Sequence, residues 1–171
     1  LKVTGNDGSL RAVLFGYACH NTTLGGDFYR IGGDYAGYAQ AELEQAHPGV
    51  LALFVMLCGG DQNPNPRGTP DLVRQHGHAL AAEVARVLDT SLRPVRPPIR
   101  TALDVASLDF APHTRAMFEG EAKSEDRFRQ RRARLMLAAY DAGRPVRETP
   151  YPVQAVRFGR DLTLLALAGE P

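Results

Sequence analysis

The stretch "LRAVLFGYACHNTTLGGDFYRIGGDYAGYAQAELEQAHPGVLALFVMLC" (residues 10–58) joins two apolar runs through a helical pattern. The runs 10–19 and 50–58 are mostly apolar, with β-branched and aromatic residues, and predict two strands. The second run is continuous, which predicts a central strand covered on both faces. Between them, the apolar positions of 34–46 recur at helical spacing, and Asp34 occupies the place of an N-cap. A strand, a helix and a second strand in succession indicate an α/β fold.

The remainder of the chain continues this alternation of strands and helices. Thr69 followed by Pro70 predicts the start of a helix that runs to about residue 89, and 101–110 predicts a strand. Residues 113–142 predict one long helix whose arginine-rich block is a solvated face. The last segments predict a hairpin around Gly159. We therefore expect one α/β domain over residues 1–171, with a mixed β-sheet covered by helices and a C-terminal β-hairpin.

The composition is that of an ordinary globular domain. The chain has 171 residues, 44% of them hydrophobic and 23% charged, with a formal net charge of +1. This balance gives no general attraction to nucleic acid or to an anionic membrane, and no apolar stretch is long enough for a transmembrane span. Because the chain starts at Leu1 and stops directly after an apolar run, we expect it to be a segment of a longer protein.

Three of the apolar runs end in loops with reactive side chains. His20 follows the first, Asp61 and Asn63 follow the second, and Glu170 follows the last. In open α/β sheets, functional groups gather in the loops at the carboxyl ends of strands. A histidine and a carboxylate form a normal partial ligand set for catalytic zinc. Asp34 and Asp61 are candidates to hold the second nitrogen of such a histidine.

Each of these residues also has a purely structural interpretation. His20 can be a hydrogen-bonded histidine at a strand end, Glu170 a surface carboxylate and Asp34 a simple helix cap. Asp61 and Asn63 can close a turn through bonds to the backbone. The motifs H-E-x-x-H, G-x-S-x-G and G-x-x-x-x-G-K-[ST] do not occur in the sequence, so no single familiar signature decides between these roles.

Four short motifs together resemble the catalytic domain of the neutral/alkaline, non-lysosomal ceramidase family. Two lie in "YACHNTTLGGDFYRIGGDYAGYAQAELE" (17–44), one in "LFVMLCGGDQNPNP" (53–66), and the last is "AGEP" (168–171). The family carries a His-Pro-Thr-like element, an Asp-x-x-Gly-Tyr-Ala element, a Gly-Asp-Val-Ser-Pro-Asn element and a Pro-Gly-Glu-Phe-Thr element. They match 20–22, 33–39, 60–65 and 168–171, with Asn21 where the family usually has proline, which implies a distant branch.

The resemblance implies a zinc site of two histidines, a glutamate and a tyrosine. His20 and Glu170 would be two of these ligands, and the other histidine and the tyrosine would lie outside residues 1–171. Asn63 stands at the position of the family's serine nucleophile, and an amide cannot form an acyl-enzyme. The resemblance therefore implies a zinc-dependent hydrolase that cleaves an amide or ester bond with metal-activated water, assisted by Asp61 and ordered by Asp34.

A second function stays open at this point. Loss of the serine is also expected in a non-catalytic ceramidase-like module that binds lipid or glycan. In both cases the expected partner is a small-molecule or lipid-like substrate rather than nucleic acid. Because the family includes exported and membrane-associated enzymes, the resemblance favours an exported or periplasmic protein.

Overall fold

The computed structural model describes residues 1–169, and these form two compact units. The first comprises Leu1–Pro94, and the second Val95–Ala168. Gly169, which precedes Glu170 in the chain, belongs to the first unit. The boundary falls between Pro94 and Val95, within the proline-rich segment 91–100, whose sequence predicts a stiff connector.

The first unit contains a three-stranded sheet and two helices. Strands β1 (Lys2–Thr4), β2 (Leu10–Tyr17) and β3 (Leu51–Met56) lie in the order β1-β2-β3. β1 is antiparallel to β2, whereas β2 and β3 are parallel, from Ala12 opposite Leu51 to Tyr17 opposite Met56. The helices are α1 (Asp34–Ala46) and α2 (Pro70–Leu88). This sheet is mixed, as the sequence predicts.

One face of this sheet packs against the helices. Strand residues alternate between faces, so side chains two apart share a side. The buried cluster draws on β2, β3, α1 and α2, and comprises Val13, Phe15, Ala39, Leu43, Ala52, Ala81 and Leu88. The ring of Phe54 meets that of Phe15 edge-on, at 5.6 Å between centroids. These apolar contacts fix β2 and β3, and the two loops that carry candidate site residues follow these strands.

The second unit contains an antiparallel sheet and two helices. Strands β4 (Ile99–Asp109), β5 (Glu148–Phe158) and β6 (Leu162–Leu167) lie in chain order, and β5 and β6 form the predicted C-terminal hairpin. The helices α3 (Arg115–Glu121) and α4 (Arg127–Asp141) pack on each other. Their buried residues are Phe118 and Ala133, and the ring of Phe118 lies 5.1 Å from that of the buried His113.

Two sequence predictions about the bounds and place of elements need correction. The long helix over 113–142 is two helices, because the Asp126 carboxylate caps a new one by accepting from the backbone N–H groups of Phe128 and Arg129. The strand over 50–58 is shorter and lies at the edge of the described sheet; Leu53 and Val55 are exposed on its outer face. The α/β fold itself is confirmed.

Helix α1 also begins differently from the prediction. Asp34 is its first residue, not its N-cap, and has a φ of 48°. The N-cap position is Gly33, which has no side chain to close the helix end. In contrast, Thr69 caps α2 as predicted, by accepting from the backbone N–H of Leu72, with Pro70 in the first turn. Among residues 1–169, no helix combines the length and the apolar character that crossing a membrane requires.

Candidate functional site

The candidate site is formed by two loops at the same edge of the first sheet. The loop 20–33 follows β2, and the loop 57–69 follows β3; because these strands are parallel and adjacent, both loops leave from their carboxyl ends. The sheet ladder continues past the strands, since the backbone N–H of Leu57 donates to the Tyr17 carbonyl at 3.1 Å. The two loops are therefore aligned before any side chain contributes.

His20 is fixed to the second loop at two points. Its backbone N–H donates to the Gln62 carbonyl at 3.0 Å, and its ring Nδ1 lies 2.8 Å from the same oxygen. A carbonyl oxygen only accepts hydrogen bonds, so Nδ1 carries the proton. In the neutral imidazole the lone pair then lies on Nε2. A backbone carbonyl on the other ring nitrogen is the usual support of a metal-ligating histidine.

Two further hydrogen bonds join the loops beside His20. The Thr22 hydroxyl donates to the Asn63 side-chain oxygen at 2.8 Å, and the backbone N–H of Gly68 donates to the Thr23 carbonyl at 2.7 Å. With its oxygen engaged by Thr22, the Asn63 amide keeps its NH2 group as a donor. The second loop is thus held along its length and not only at His20.

Asp34 fastens the first loop to the start of α1. One carboxylate oxygen accepts from the backbone N–H of Leu24 at 3.1 Å, and the other from that of Tyr35 at 2.7 Å. The side chain is buried, and its residue adopts the left-handed conformation that non-glycine residues rarely occupy. Asp34 therefore positions the loop, whereas the Nδ1 partner of His20 is the Gln62 carbonyl.

Tyr35 of helix α1 supports the start of the first loop through a hydrogen bond. Its hydroxyl donates to the Cys19 carbonyl at 2.6 Å, directly before His20. The ring is 3% exposed and meets the rings of Tyr17 and Phe54 edge-on. Burial raises the pKa of the Tyr35 phenol and also that of the Cys19 thiol. Cys19 and Cys58 are both free cysteines, and of the two only Cys19 is buried.

Gly59 in the second loop lies close against the backbone of residues 18 and 19. A Cβ at this position would lie 2.5 Å from the Cys19 nitrogen and 2.6 Å from the Ala18 carbonyl carbon. These are backbone atoms, which cannot turn away as the end of a side chain can. Only glycine therefore allows the backbones to meet directly beside His20.

The structure brings together most, but not all, of the predicted site residues. His20, Asp61 and Asn63 lie in the two loops joined by hydrogen bonds, and the Asp61 side chain is exposed there. Glu170 lies outside the described residues, so its position beside His20 stays a prediction. Within residues 1–169, no group of three histidine, cysteine, aspartate or glutamate side chains could hold a metal ion.

Sequence reasoning missed two features of this site. The Gln62 carbonyl lies 2.8 Å from Nδ1 of the His20 ring, and backbone partners leave no mark in the sequence. Thr23 is fully buried, and its hydroxyl has no hydrogen-bond partner among the described residues. The repeated threonine in "HNTTLGG" (20–26) is the only sequence signal near it, and the two threonines have opposite roles.

Comparison with known proteins identifies the fold. No protein-family model and no curated protein sequence matches the chain. Among solved structures, it is similar to the neutral ceramidase from Pseudomonas aeruginosa, with a TM-score of 0.66 and 17% identity. That match covers 96% of this chain and 33% of the ceramidase. The structure of a ceramidase complexed with C2 also has a TM-score of 0.66, at 14% identity, over 96% of this chain and 34% of the other.

The chain thus shares the fold of part of neutral ceramidase and spans about a third of the length of these structures. At this identity the likeness concerns the fold.

Proposed function

We propose that the chain is a segment of a larger ceramidase-like catalytic domain, on a distant branch, that hydrolyses an amide or ester bond with the help of zinc. The ceramidase-like fold supports this proposal. The observation that carries it is the 2.8 Å hydrogen bond between His20 Nδ1 and the Gln62 carbonyl. With Nδ1 donating to that carbonyl, the lone pair of the neutral imidazole lies on Nε2, which is the arrangement of a metal-ligating histidine.

His20 fits zinc as a neutral imidazole donor, and Glu170 would join it. Gly169, the residue that precedes Glu170 in the sequence, belongs to the same compact unit as His20. The remaining ligands, a histidine and a tyrosine, would come from outside residues 1–171. When bound, zinc supplies Lewis-acid polarisation and lowers the pKa of a coordinated water molecule toward about 7.

Asn63 and Asp61 would act on the substrate and on water, respectively. The Asn63 oxygen is already engaged by Thr22, so its NH2 group is the part that can donate to a substrate carbonyl oxygen. Asp61 is exposed in the same loop and would accept a proton from the attacking water. In this arrangement Asn63 replaces the family's nucleophile with a hydrogen-bond donor, so no acyl-enzyme forms.

The first loop supports a lipid-like substrate. Tyr29 is 93% exposed and Ile31 is fully exposed, although both are large and apolar. They lie between His20 and Asp34, in the segment whose ends are fastened to Gln62 and to α1. Side chains of this kind can contact an acyl chain while the loop ends hold the polar groups.

Metal analysis of the full-length protein tests the proposal without measuring activity. We expect about one zinc ion per chain in the wild type and at least roughly tenfold weaker zinc binding in His20→Ala. The control is His78→Ala, which removes an exposed histidine paired with Glu42 on the helices. Zinc binding that is absent in the wild type, or equal in both variants, would contradict the metal role of His20.

A second candidate function rests on Asn63 alone. Because this residue is not a nucleophile, the site could hold a lipid or glycan without cleaving it. Turnover of a panel of N-acyl and ester substrates by the zinc-loaded protein separates the two functions. Hydrolysis that is lost in Asp61→Asn supports the enzyme, whereas saturable binding without turnover supports the binding module.

A further inference from the structure

The second unit contains a cavity that the proposed hydrolase site does not use. It has a volume of about 570 Å³ and lies where the start of β4 meets the β5–β6 turn. Its lining includes one carboxylate, Asp161, and four guanidinium groups: Arg96, Arg100, Arg157 and Arg160. The cavity therefore carries a formal excess of three positive charges, although the whole chain carries only one.

The sheet register forces two of these arginines together. Arg100 on β4 is directly opposite Arg157 on β5, so both side chains leave the same face of the sheet. Directly opposed like charges destabilise an antiparallel pair. Among residues 1–169, neither guanidinium forms an ion pair with a carboxylate that would relieve this repulsion.

The turn brings the other two arginines to the same place. The backbone N–H of Gly159 donates to the Pro98 carbonyl at 2.9 Å, and a Cβ on Gly159 would lie 2.5 Å from the Arg96 carbonyl oxygen. Gly159 has a φ of 53°, which glycine adopts without strain. The close approach sets Arg160, the next residue, beside the segment that carries Arg96.

The remaining polar contacts leave the guanidinium groups free to bind. The Asp161 carboxylate accepts from the backbone N–H of Arg96 at 3.1 Å and so closes the turn. Arg157 donates from Nε to the Gly159 carbonyl at 3.0 Å, which orients its fork and leaves both terminal NH2 groups as donors. A planar guanidinium fork matches a tetrahedral oxyanion in shape and charge.

We propose that this cavity binds a phosphate group. A phosphate monoester carries between −1.5 and about −2 charges at neutral pH and several strong acceptor oxygens. It would relieve the repulsion between Arg100 and Arg157 and draw donors from both strands and the turn. The group can come from a soluble phosphorylated molecule or from a phospholipid headgroup, since the chemistry is the same.

Calorimetry on the full chain with inorganic phosphate, at constant ionic strength in chloride, tests the site. We expect saturable binding, weakened about tenfold by Arg100→Gln and again by Arg157→Gln. Arg100→Lys keeps the charge but loses the fork, and should be weakened as well. The control is Arg131→Gln, an exposed arginine on α4 outside the cavity, which should bind as the wild type does.

A variant that should bind phosphate more tightly separates loss of the site from loss of folding, because a misfolded protein would not gain affinity. Asp161→Asn keeps an oxygen that can accept from Arg96 but removes the negative charge, so phosphate should bind several-fold more tightly. A parallel assay with phosphatidylcholine vesicles, with and without phosphatidic acid, identifies the source. Binding to either phosphate or the acidic vesicles supports the site. Binding to neither, or an equal loss in Arg131→Gln, would overturn it.

Discussion

Adjacent threonines at the site have opposite effects on stability. The Thr22 hydroxyl donates to Asn63, whereas the buried Thr23 hydroxyl has no partner among the described residues. A buried polar group without a partner is destabilising by about 1–3 kcal/mol, and a typical hydrogen bond contributes about 1 kcal/mol. The pair is therefore a sensitive check of the loop geometry.

We expect Thr23→Val to be neutral or to raise the free energy of unfolding by about 1 kcal/mol. Thr22→Val should lower it by about 1 kcal/mol, because Asn63 loses its donor. Urea denaturation followed by circular dichroism measures both. If Thr23→Val were strongly destabilising, the hydroxyl would have a partner that the described residues do not provide.

A second prediction concerns Tyr35 and alkaline pH. Its pKa in the folded protein is raised by burial above the usual value of about 10. Above pH 10 the unfolded chain therefore loses a proton that the folded chain retains, and stability falls as pH rises further. Below pH 10 this contribution is fully present.

Tyr35→Phe should flatten this decline between about pH 10 and 11, because the group that titrates is gone. At neutral pH the variant should lose about 1 kcal/mol through the missing bond to the Cys19 carbonyl. Unfolding free energies at several pH values measure both effects. Tyr17→Phe, which removes a half-exposed phenol, is the control. An unchanged alkaline slope in Tyr35→Phe would show that another group causes the decline.

At the scale of elements, the contact between α1 and α2 depends on Gly77. A Cβ there would lie 2.5 Å from the Tyr38 Cβ and 2.9 Å from the Tyr35 carbonyl oxygen. Gly77→Ala should therefore push the helices apart and cost about 1–3 kcal/mol. Thermal unfolding measures the change.

The matched control is Gly37→Ala, within α1. Apart from its chain neighbours and the nearby backbone of its own helix, no atom lies within 4 Å of the position its Cβ would take. Alanine in a helix interior is favoured over glycine by about 0.5–1 kcal/mol, so this variant should be neutral or more stable. Equal losses of stability in the two variants would mean that the packing of α1 on α2 does not depend on Gly77.

The sequence predicts these elements well wherever a local signal exists. Thr69 and Pro70 mark the start of α2, and the hairpin around Gly159 follows from the two apolar runs beside it. The break between α3 and α4 was missed, because the charged periodicity continues across the Asp126 cap. The edge position of β3 could not be predicted, since strand order depends on contacts distant in sequence.

For the candidate site, the sequence predicts the loops but not the bonds between them. His20 and Asn63 are conspicuous because they follow apolar runs. The partner of the His20 Nδ1 atom, however, is a backbone carbonyl, and any residue at position 62 would provide one. The role of Asp34 could not be predicted either. An aspartate at a helix start looks the same in sequence whether it is the N-cap or a first helical residue with a positive φ.

At the scale of the whole molecule, the two compact units have separate sets of buried residues. Phe118→Ala, which removes a buried ring of the second unit, should cost about 3–5 kcal/mol. Hydrogen exchange should then increase mainly within 95–168, whereas Gly77→Ala should increase it mainly within 1–94. An equal increase in both units for each variant would show that they unfold as one.

The fastening of the first loop at both ends has an evolutionary consequence. Hydrogen bonds join Leu24 to Asp34 and His20 to Gln62. The intervening residues 25–33 can therefore lengthen or change in sequence without disturbing these two bonds. Doubling the length of such a flexible segment adds only about 0.6 kcal/mol of closure entropy. New ligand preferences could therefore arise in descendants of this protein by insertion at a single tolerant segment, with the scaffold inherited intact.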